Sequence, residues 1–203
     1  MNQQLQTQTN LHWVYQSIIN WENLSLDRNK LIEIADYGLS TFYFLKGIVD
    51  TDDIHAYMGC YKDVFYIHFI PSSLDVPASF TDGMTIPKEL SSSIATKLNN
   101  FKGPVLKNEA EERIGNWADK TLRDGILLAT DLFQIFWIPN EDFEDNTPIQ
   151  VDLAINNNNP DLILTQLNQM DSFLNTCKPI PPFKPTLLQN QFALYEQIKL
   201  WKI

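Results

Sequence analysis

The sequence predicts an α+β protein in which antiparallel sheets, built from β-hairpins, carry amphipathic helices packed on one face. Residues 54–70 place apolar side chains at every second position around a two-residue turn, and residues 149–155 alternate in the same way. Other segments space their apolar residues as a helix does. With 44% hydrophobic and 12% aromatic residues among 203, the chain can bury a core of its own.

The first fifty residues combine two helical patterns with one strand pattern. Asp27 can cap a helix that ends at Gly38, after which residues 41–45 run as a strand, although one continuous helix from Asp27 to Ile48 also fits. Before it, Asn10 can cap a first helix whose apolar residues share one face: Leu11, Val14, Tyr15 and Ile18.

The clearest local prediction is a hairpin with strands 54–61 and 64–70 and a turn at Lys62-Asp63. A three-residue turn would shift one strand by one position and spoil the match between the strands. With the two-residue turn, one face is entirely apolar: Ile54, Ala56, Met58, Cys60, Phe65, Ile67 and Phe69. The other face is mixed: His55, Tyr57, Gly59, Tyr61, Val64, Tyr66, His68 and Ile70.

Three helices and two strands are predicted for the second half. Strands are expected at 133–137 and 149–155, and a helix from Asn108 to Gly125. Pro87 is expected to open a helix with Leu90, Ile94, Leu98 and Phe101 on its buried face. Pro160 is expected to open another, after a cap at Asn159, that buries Ile163, Leu164, Leu167, Met170 and Leu174.

The C-terminal part is predicted to be a proline-rich strap followed by a helix. Four of the eight residues from 178 to 185 are proline, so this strap should be extended and should stay out of a central ladder. A final helix after Thr186 should dock on the domain through Leu187, Leu194, Ile198 and Trp201.

The predicted organisation is therefore a flexible tail at 1–10, an α+β domain at 11–178, and the strap with its helix at 179–203. Segments 63–71 and 131–139 share Asp, Phe, Ile, Ile and Pro in register. One interpretation is a duplicated helix-strand-strand unit, with similar halves at about 11–80 and 85–178.

Composition narrows the function classes. A formal charge of −10 argues against nucleic acid and against anionic membrane surfaces, which both select cationic proteins. The most apolar stretch, 126–139, is too short to span a bilayer, and the first ten residues lack a signal-peptide pattern. Two cysteines suggest reduced thiols in the cytoplasm. The seven glycines lie at least nine residues apart, so nucleotide-binding loops are absent and no cofactor is expected.

Candidate catalytic residues are Asp53, His55 and His68. A diagonal pair of histidines on the mixed face, helped by Asp52 or Asp53, could serve a hydrolase that uses a divalent cation. Paired histidines of this kind are more often simple polar residues, and the register sends Cys60 to the opposite face. No metal site is therefore predicted, and the enzyme stays the alternative hypothesis.

The preferred hypothesis is a non-enzymatic protein-binding or adaptor protein with an acidic, aromatic-bearing surface. Its partner would be another protein or a basic peptide. The candidate binding residues are Tyr57 and Tyr66 on the mixed face of the hairpin, and Phe143 among the four carboxylates of the loop 141–145. Tyrosine suits interfaces because it combines a rigid apolar ring with a polar tip.

Overall fold

The computed structural model describes residues 11–45, 52–80, 87, 89–97, 109–129, 132–140, 147–167, 173–174, 177–180 and 192–201. The helices in these ranges are α1 Leu11–Asn23, α2 Arg28–Ala35, α3 Glu109–Ala118, α4 Lys120–Ala129 and α5 Ala193–Trp201. The strands are β1 Leu39–Leu45, β2 Ile54–Tyr61, β3 Val64–Pro71, β4 Ser91–Ile94, β5 Thr96–Lys97, β6 Ile135–Ile138, β7 Pro148–Asn156, β8 Asn159–Gln166, β9 Phe173–Leu174 and β10 Lys178–Ile180. Two short 3-10 turns, Ser72–Leu74 and Pro77–Phe80, follow β3.

The strands form two five-stranded antiparallel sheets, which confirms the predicted α+β class. Sheet A has the order β5-β1-β7-β8-β9, and sheet B has the order β10-β6-β2-β3-β4. The segment from β4 to β5 runs from sheet B into sheet A, where β5 pairs with β1. Each sheet takes strands from both the first and the second half of the chain.

The main core lies between the two sheets, and helices cover the outer face of each. Across the interface the rings of Phe44 and Phe69 lie 4.6 Å apart. On the outer face of sheet B, α1 and α5 share a second cluster that includes Val14, Tyr15, Ile18, Leu194 and Ile198. On the outer face of sheet A, α3 packs Ala110 and Ile114 against Ala154 and Ile163. Each sheet therefore carries helices on one face and packs on the other sheet with its second face.

The predicted hairpin is confirmed residue by residue. Cys60 pairs with Phe65, and Tyr57 pairs with His68, as a two-residue turn requires. Lys62 and Asp63 both have positive φ, 51° and 57°, which is the conformation of the type I′ turn that matches strand twist. The alternating pattern decided the register because one face of this hairpin had to be wholly apolar.

The duplication is not confirmed. Segments 63–71 and 131–139 contribute β3 and β6, which flank β2 on its two sides. Ile54 pairs with Pro71 on one side but with Ile138 on the other, so the aligned positions are displaced by one residue. As a result, Ile67 lies in the core between the sheets, whereas its counterpart Ile135 faces α1 and α5.

The helix predicted after Pro87 is wrong where the structure describes it. Ser91–Ile94 is a strand paired with β3, and Ser92 lies opposite His68. Serine competes with the helical backbone through its own hydroxyl, so three consecutive serines give a helix little intrinsic support. Leu98 and Phe101 lie outside the described residues.

The helix predicted after Pro160 is also wrong. Asn157 and Asn158 have φ of 49° and 62°, so they form a hairpin turn, and Asn159–Gln166 returns as β8 against β7. Leu162 and Leu164 face the central core while Ile163 faces α3, so this strand is buried on both faces. A strand buried on both faces reads as a continuous apolar run, which a helical pattern can match by coincidence.

A third helix prediction needs correction. Asp119 divides the helix expected from Asn108 to Gly125, because its side chain accepts the N–H groups of Thr121 and Leu122 and starts α4. Gly125 lies inside α4. The proline strap was expected to be extended and to stay out of a central ladder, and the described part agrees: Lys178–Ile180 pairs with β6 as an edge strand, the position at which a proline such as Pro179 is tolerated. Residues 181–185 lie outside the described residues.

The predicted terminal helix is present as α5, and Leu194 and Ile198 are fully buried. Residues 1–10 and Leu187 lie outside the described residues.

Candidate functional site

The hairpin face predicted to carry the site is covered by helices. His55 is 6% exposed, and Tyr57 and His68 are both 0% exposed, because α1 and α5 lie over this side of sheet B. Tyr57 was a candidate binding residue, and its burial rules out direct contact with a partner in this conformation. Tyr66, on the same face but nearer the turn, is half-buried.

His55 and Tyr57 belong to a network centred on Asp75. The carboxylate of Asp75 is fully buried, and its Oδ2 accepts hydrogen bonds from His55 Nδ1 at 2.7 Å and from the Tyr57 hydroxyl at 2.5 Å. Its Oδ1 accepts the backbone N–H of Leu194 at 2.7 Å. Burial and the neighbouring Asp75 carboxylate raise the pKa of Tyr57 well above its usual range, so this hydroxyl keeps its proton and donates it to Asp75.

This network anchors the C-terminal helix. The first N–H groups of a helix lack acceptors within the helix. For the first two residues of α5, Asp75 provides the acceptors. Its carboxylate accepts a hydrogen bond from the N–H of Leu194, and its backbone carbonyl accepts one from the N–H of Ala193 at 3.3 Å. The ring of Phe192 lies 4.4 Å from the His55 ring. Asp75, His55 and Tyr57 therefore hold α5 on sheet B.

His68 belongs to a separate network that ties α1 to the sheet. Its Nε2 lies 2.5 Å from Ser17 Oγ, and its Nδ1 lies 2.7 Å from Ser92 Oγ. The Ser17 hydroxyl has one proton, which it donates to the carbonyl of Val14 at 2.9 Å. His68 Nε2–H then donates to Ser17, and Ser92 donates to Nδ1, so one neutral tautomer satisfies the whole chain.

Ser92, His68 and Ser17 have the order of a nucleophile, a base and a residue that orients the base. Burial lowers the pKa of His68 to about 3, however, so the imidazolium that a general base must form is strongly disfavoured. The orienting residue is a neutral serine rather than a carboxylate that could stabilise the positive charge. The geometry resembles a catalytic arrangement, but its electrostatics oppose one.

The predicted carboxylates near the hairpin have structural roles. Asp53 Oδ1 accepts the backbone N–H of Asn140 at 2.8 Å, and Asp52 accepts the hydroxyl of Ser73. No group of three or more His, Cys, Asp or Glu side chains that could hold a metal ion is found in the described ranges. Asp53, His55 and His68 thus have separate partners. Phe143 lies outside the described residues.

One cavity of about 420 Å³ lies between α3, the β7–β8 turn and β10. Arg113 reaches its wall, but its guanidinium already pairs with Asp161 at 3.0 Å and with Glu109. Two carboxylates neutralise this cation, so the guanidinium offers little attraction for an anion.

A group of partly exposed aromatic residues lies where α1 meets sheet B. Trp13 lies 6.0 Å from the Tyr61 ring and 5.2 Å from the Tyr66 ring, and it meets both nearly at right angles. All three are half-buried, and Ile94, which pairs with Tyr66, is 49% exposed. We call Trp13, Tyr61, Tyr66 and Ile94 the aromatic patch.

Sequence reasoning identified Tyr66 but missed most of these residues. Ile94 had been placed in a helix, and Trp13 lies on the helical face that was not assigned to the core. Asp75 was missed because it lies in a segment rich in Pro and Ser, a composition typical of a loop. A lone aspartate shortly after a strand gives no local sign that its partner lies more than a hundred residues away.

No family model matches this sequence, and comparison with curated proteins and with solved structures finds no match. Among the described residues, no helix combines the length and apolar character that crossing a bilayer would require.

Proposed function

We propose that this is a non-enzymatic binding protein that recognises a basic peptide segment of another protein through the aromatic patch. One observation carries the proposal: three aromatic rings and one aliphatic side chain stay partly exposed, while His68, which lies against Trp13, has both ring nitrogens engaged in a buried hydrogen-bond network. Trp and Tyr are enriched among the few residues that dominate the binding energy at protein interfaces, because they bury a large area at little entropic cost.

Charge favours a basic partner. The chain has 25 acidic residues against 15 basic ones, so a cationic segment is attracted over several ångströms before contact. The ammonium group of Lys62 lies 5.4 Å from the centre of the Tyr61 ring, so one ring of the patch already faces a cation of the chain itself. A lysine or arginine of the partner could use the same kind of contact.

Cys60 and Cys177 are buried and form no disulfide, which fits a reducing compartment such as the cytoplasm. In this proposal the protein binds its partner in the cytoplasm, and neither its fold nor the binding requires a disulfide.

The test uses defined peptides and one matched pair of variants. Binding of 15-residue peptides that combine Lys and Arg with Leu and Phe would be measured by calorimetry for the wild type, for Tyr66→Ala and for Tyr37→Ala. Tyr37 is 46% exposed in the turn that follows α2, so it controls for the loss of a surface tyrosine elsewhere. We expect Tyr66→Ala to weaken binding about tenfold or more, and Tyr37→Ala to leave it unchanged.

Two results would contradict the proposal. Equal losses in the two variants would show that the patch is not the site. Equal binding of acidic peptides with the same apolar residues, or binding that does not weaken as salt is raised, would remove the electrostatic part.

A further inference from the structure

The C-terminal helix is held at its N-terminal end by one buried carboxylate. Asp75 is the acceptor for the N–H groups of both Ala193 and Leu194 and is itself oriented by His55 and Tyr57. The carboxylate also lies where the positive end of the helix dipole favours a negative charge. Docking of α5 therefore depends on a specific polar contact as well as on apolar packing.

The same helix supports the part of α1 that carries Trp13. Val14 and Ile18 of α1 pack in one cluster with Leu194 and Ile198 of α5. The other end of α1 has independent anchors in sheet B and in the segment before β6: Asn20 donates to the Cys60 carbonyl at 3.1 Å, and Trp21 Nε1 donates to the Phe133 carbonyl at 2.7 Å. Ser17, in the middle of α1, is held separately by His68 Nε2. Loss of α5 would therefore loosen the start of α1, which carries Trp13 and Val14, and leave the rest of the helix in place.

We infer that α5 is a latch: its docking on Asp75 holds Trp13 in the aromatic patch, and its undocking weakens recognition of the partner. This regulatory role rests on the proposed function. In the undocked state, Asp75 exchanges its helix donors for water and the apolar cluster on α1 loses one wall, so the docked state is favoured in isolation. The patch is complete only in the docked fraction, so the apparent dissociation constant rises as that fraction falls.

Hydrogen exchange tests the latch without any peptide. In Asp75→Asn, the new amide keeps an oxygen for Leu194 but turns an N–H group towards His55 or Tyr57, so docking is weakened with little change in volume. We expect the α5 amides to exchange about ten- to a hundredfold faster than in the wild type. The amides of residues 15–18 in α1, the first that have acceptors within the helix, should follow, while those of the β7–β8 hairpin stay protected.

Tyr57→Phe is the milder second variant, because it removes one donor to Asp75 and keeps the ring. We expect about a two- to tenfold acceleration in α5. Leu200→Ser, on the exposed side of α5 where Leu200 is 64% exposed, is the control and should change little. The latch is refuted if α5 and the β7–β8 hairpin exchange at one common rate in all variants, or if α5 accelerates while the start of α1 does not.

Peptide binding then separates the two proposals. If wild-type protein binds basic peptides and Asp75→Asn binds them more weakly in proportion to its α5 exchange, both proposals are supported. If Asp75→Asn binds as tightly as the wild type, the latch is wrong and the proposed function stands. If wild-type protein binds no basic peptide while exchange behaves as expected, the proposed function fails, and the coupling between α5 and α1 is established alone.

Discussion

His55 and His68 lie on the same face of the same two-stranded hairpin and are both buried, yet their imidazole rings have different kinds of hydrogen-bond partner. His55 donates to a carboxylate that also caps α5, whereas His68 lies between two serine hydroxyls beneath α1. The first network uses a charge and the second is neutral throughout. Both networks hold a helix on sheet B. A group of buried polar side chains on a sheet face can therefore serve to dock a helix rather than to catalyse a reaction.

The difference matters for how each network responds to change. A buried carboxylate with three donors resists the loss of one donor but leaves a costly charge when its helix is removed. A neutral chain of hydroxyls and imidazole has no such charge, but it depends on the close approach of α1 to the sheet. The charged network is therefore the more sensitive to loss of its helix, and the neutral one to any added volume beneath α1.

Removal of α5 should have the largest effect on stability. A chain ending at residue 191 loses the buried side chains of Phe192, Leu194 and Ile198, which contribute about 1.5–3 kcal/mol each, and leaves Asp75 without its helix donors. We expect a large fall in melting temperature by circular dichroism. A shortened chain that melts at the wild-type temperature would show that α5 contributes nothing to the fold.

The approach of α1 to the sheet can be tested at Gly59. A Cβ at this position would lie 2.7 Å from His68 Nε2 and 2.8 Å from Ser17 Oγ, both of them buried and hydrogen-bonded. Gly59→Ala should destabilise the protein by about 1–3 kcal/mol in urea unfolding. Gly125→Ala is the matched control, since a Cβ there would meet no neighbouring side chain within 4 Å and alanine favours the helix. Equal effects in the two variants would contradict the tight contact at Gly59.

The hairpin shows how much of this arrangement could be predicted from sequence. The alternation in β2 and β3 determined the turn, the register and the apolar face correctly, because all of that information is local. The second face was misjudged for the same reason: His55, Tyr57 and His68 are exposed in an isolated hairpin, and only the long-range docking of α1 and α5 buries them.

The predictions for segments with ambiguous periodicity were wrong for a different reason. The run Leu162-Ile163-Leu164 fits both a helix and a strand covered on two sides, and the positive φ of Asn157 and Asn158 decided for the strand. The candidate site could not be predicted because its parts come from α1, β2, β3 and β4, which meet only in the finished fold.

The neutral network also predicts a pH dependence of stability. Burial lowers the pKa of His68 to about 3, against about 6.5 for an unfolded histidine. Between these values the unfolded chain binds more protons, so the stabilising contribution is complete above pH 6.5 and is lost as pH falls. Between pH 7 and pH 5, His68 should therefore lower the free energy of unfolding by about 2 kcal/mol.

Urea unfolding of the wild type and of His68→Gln, each at pH 7 and pH 5, isolates the contribution of His68 to the pH dependence, because the carboxyl groups are common to both proteins. Asp152 and Asp161, whose pKa values are raised by burial, act with the opposite sign and cancel in the difference. An equal pH dependence in wild type and variant would show that His68 is not held neutral.

The smallest effect is expected at Ser92, where the electrostatic argument against catalysis can be tested directly. A serine activated by a histidine reacts with fluorophosphonates, because the base removes the hydroxyl proton as the phosphorus is attacked. His68 has a pKa of about 3 and no carboxylate behind it, so it cannot hold that proton near neutral pH. We expect no labelling of Ser92 at pH 7.5 by intact-mass spectrometry, under conditions in which a serine hydrolase added as a positive control is fully labelled. Labelling that disappears in Ser92→Ala would mean that the imidazole is more basic in solution than its burial implies, and it would restore the enzyme hypothesis on a new pair of residues.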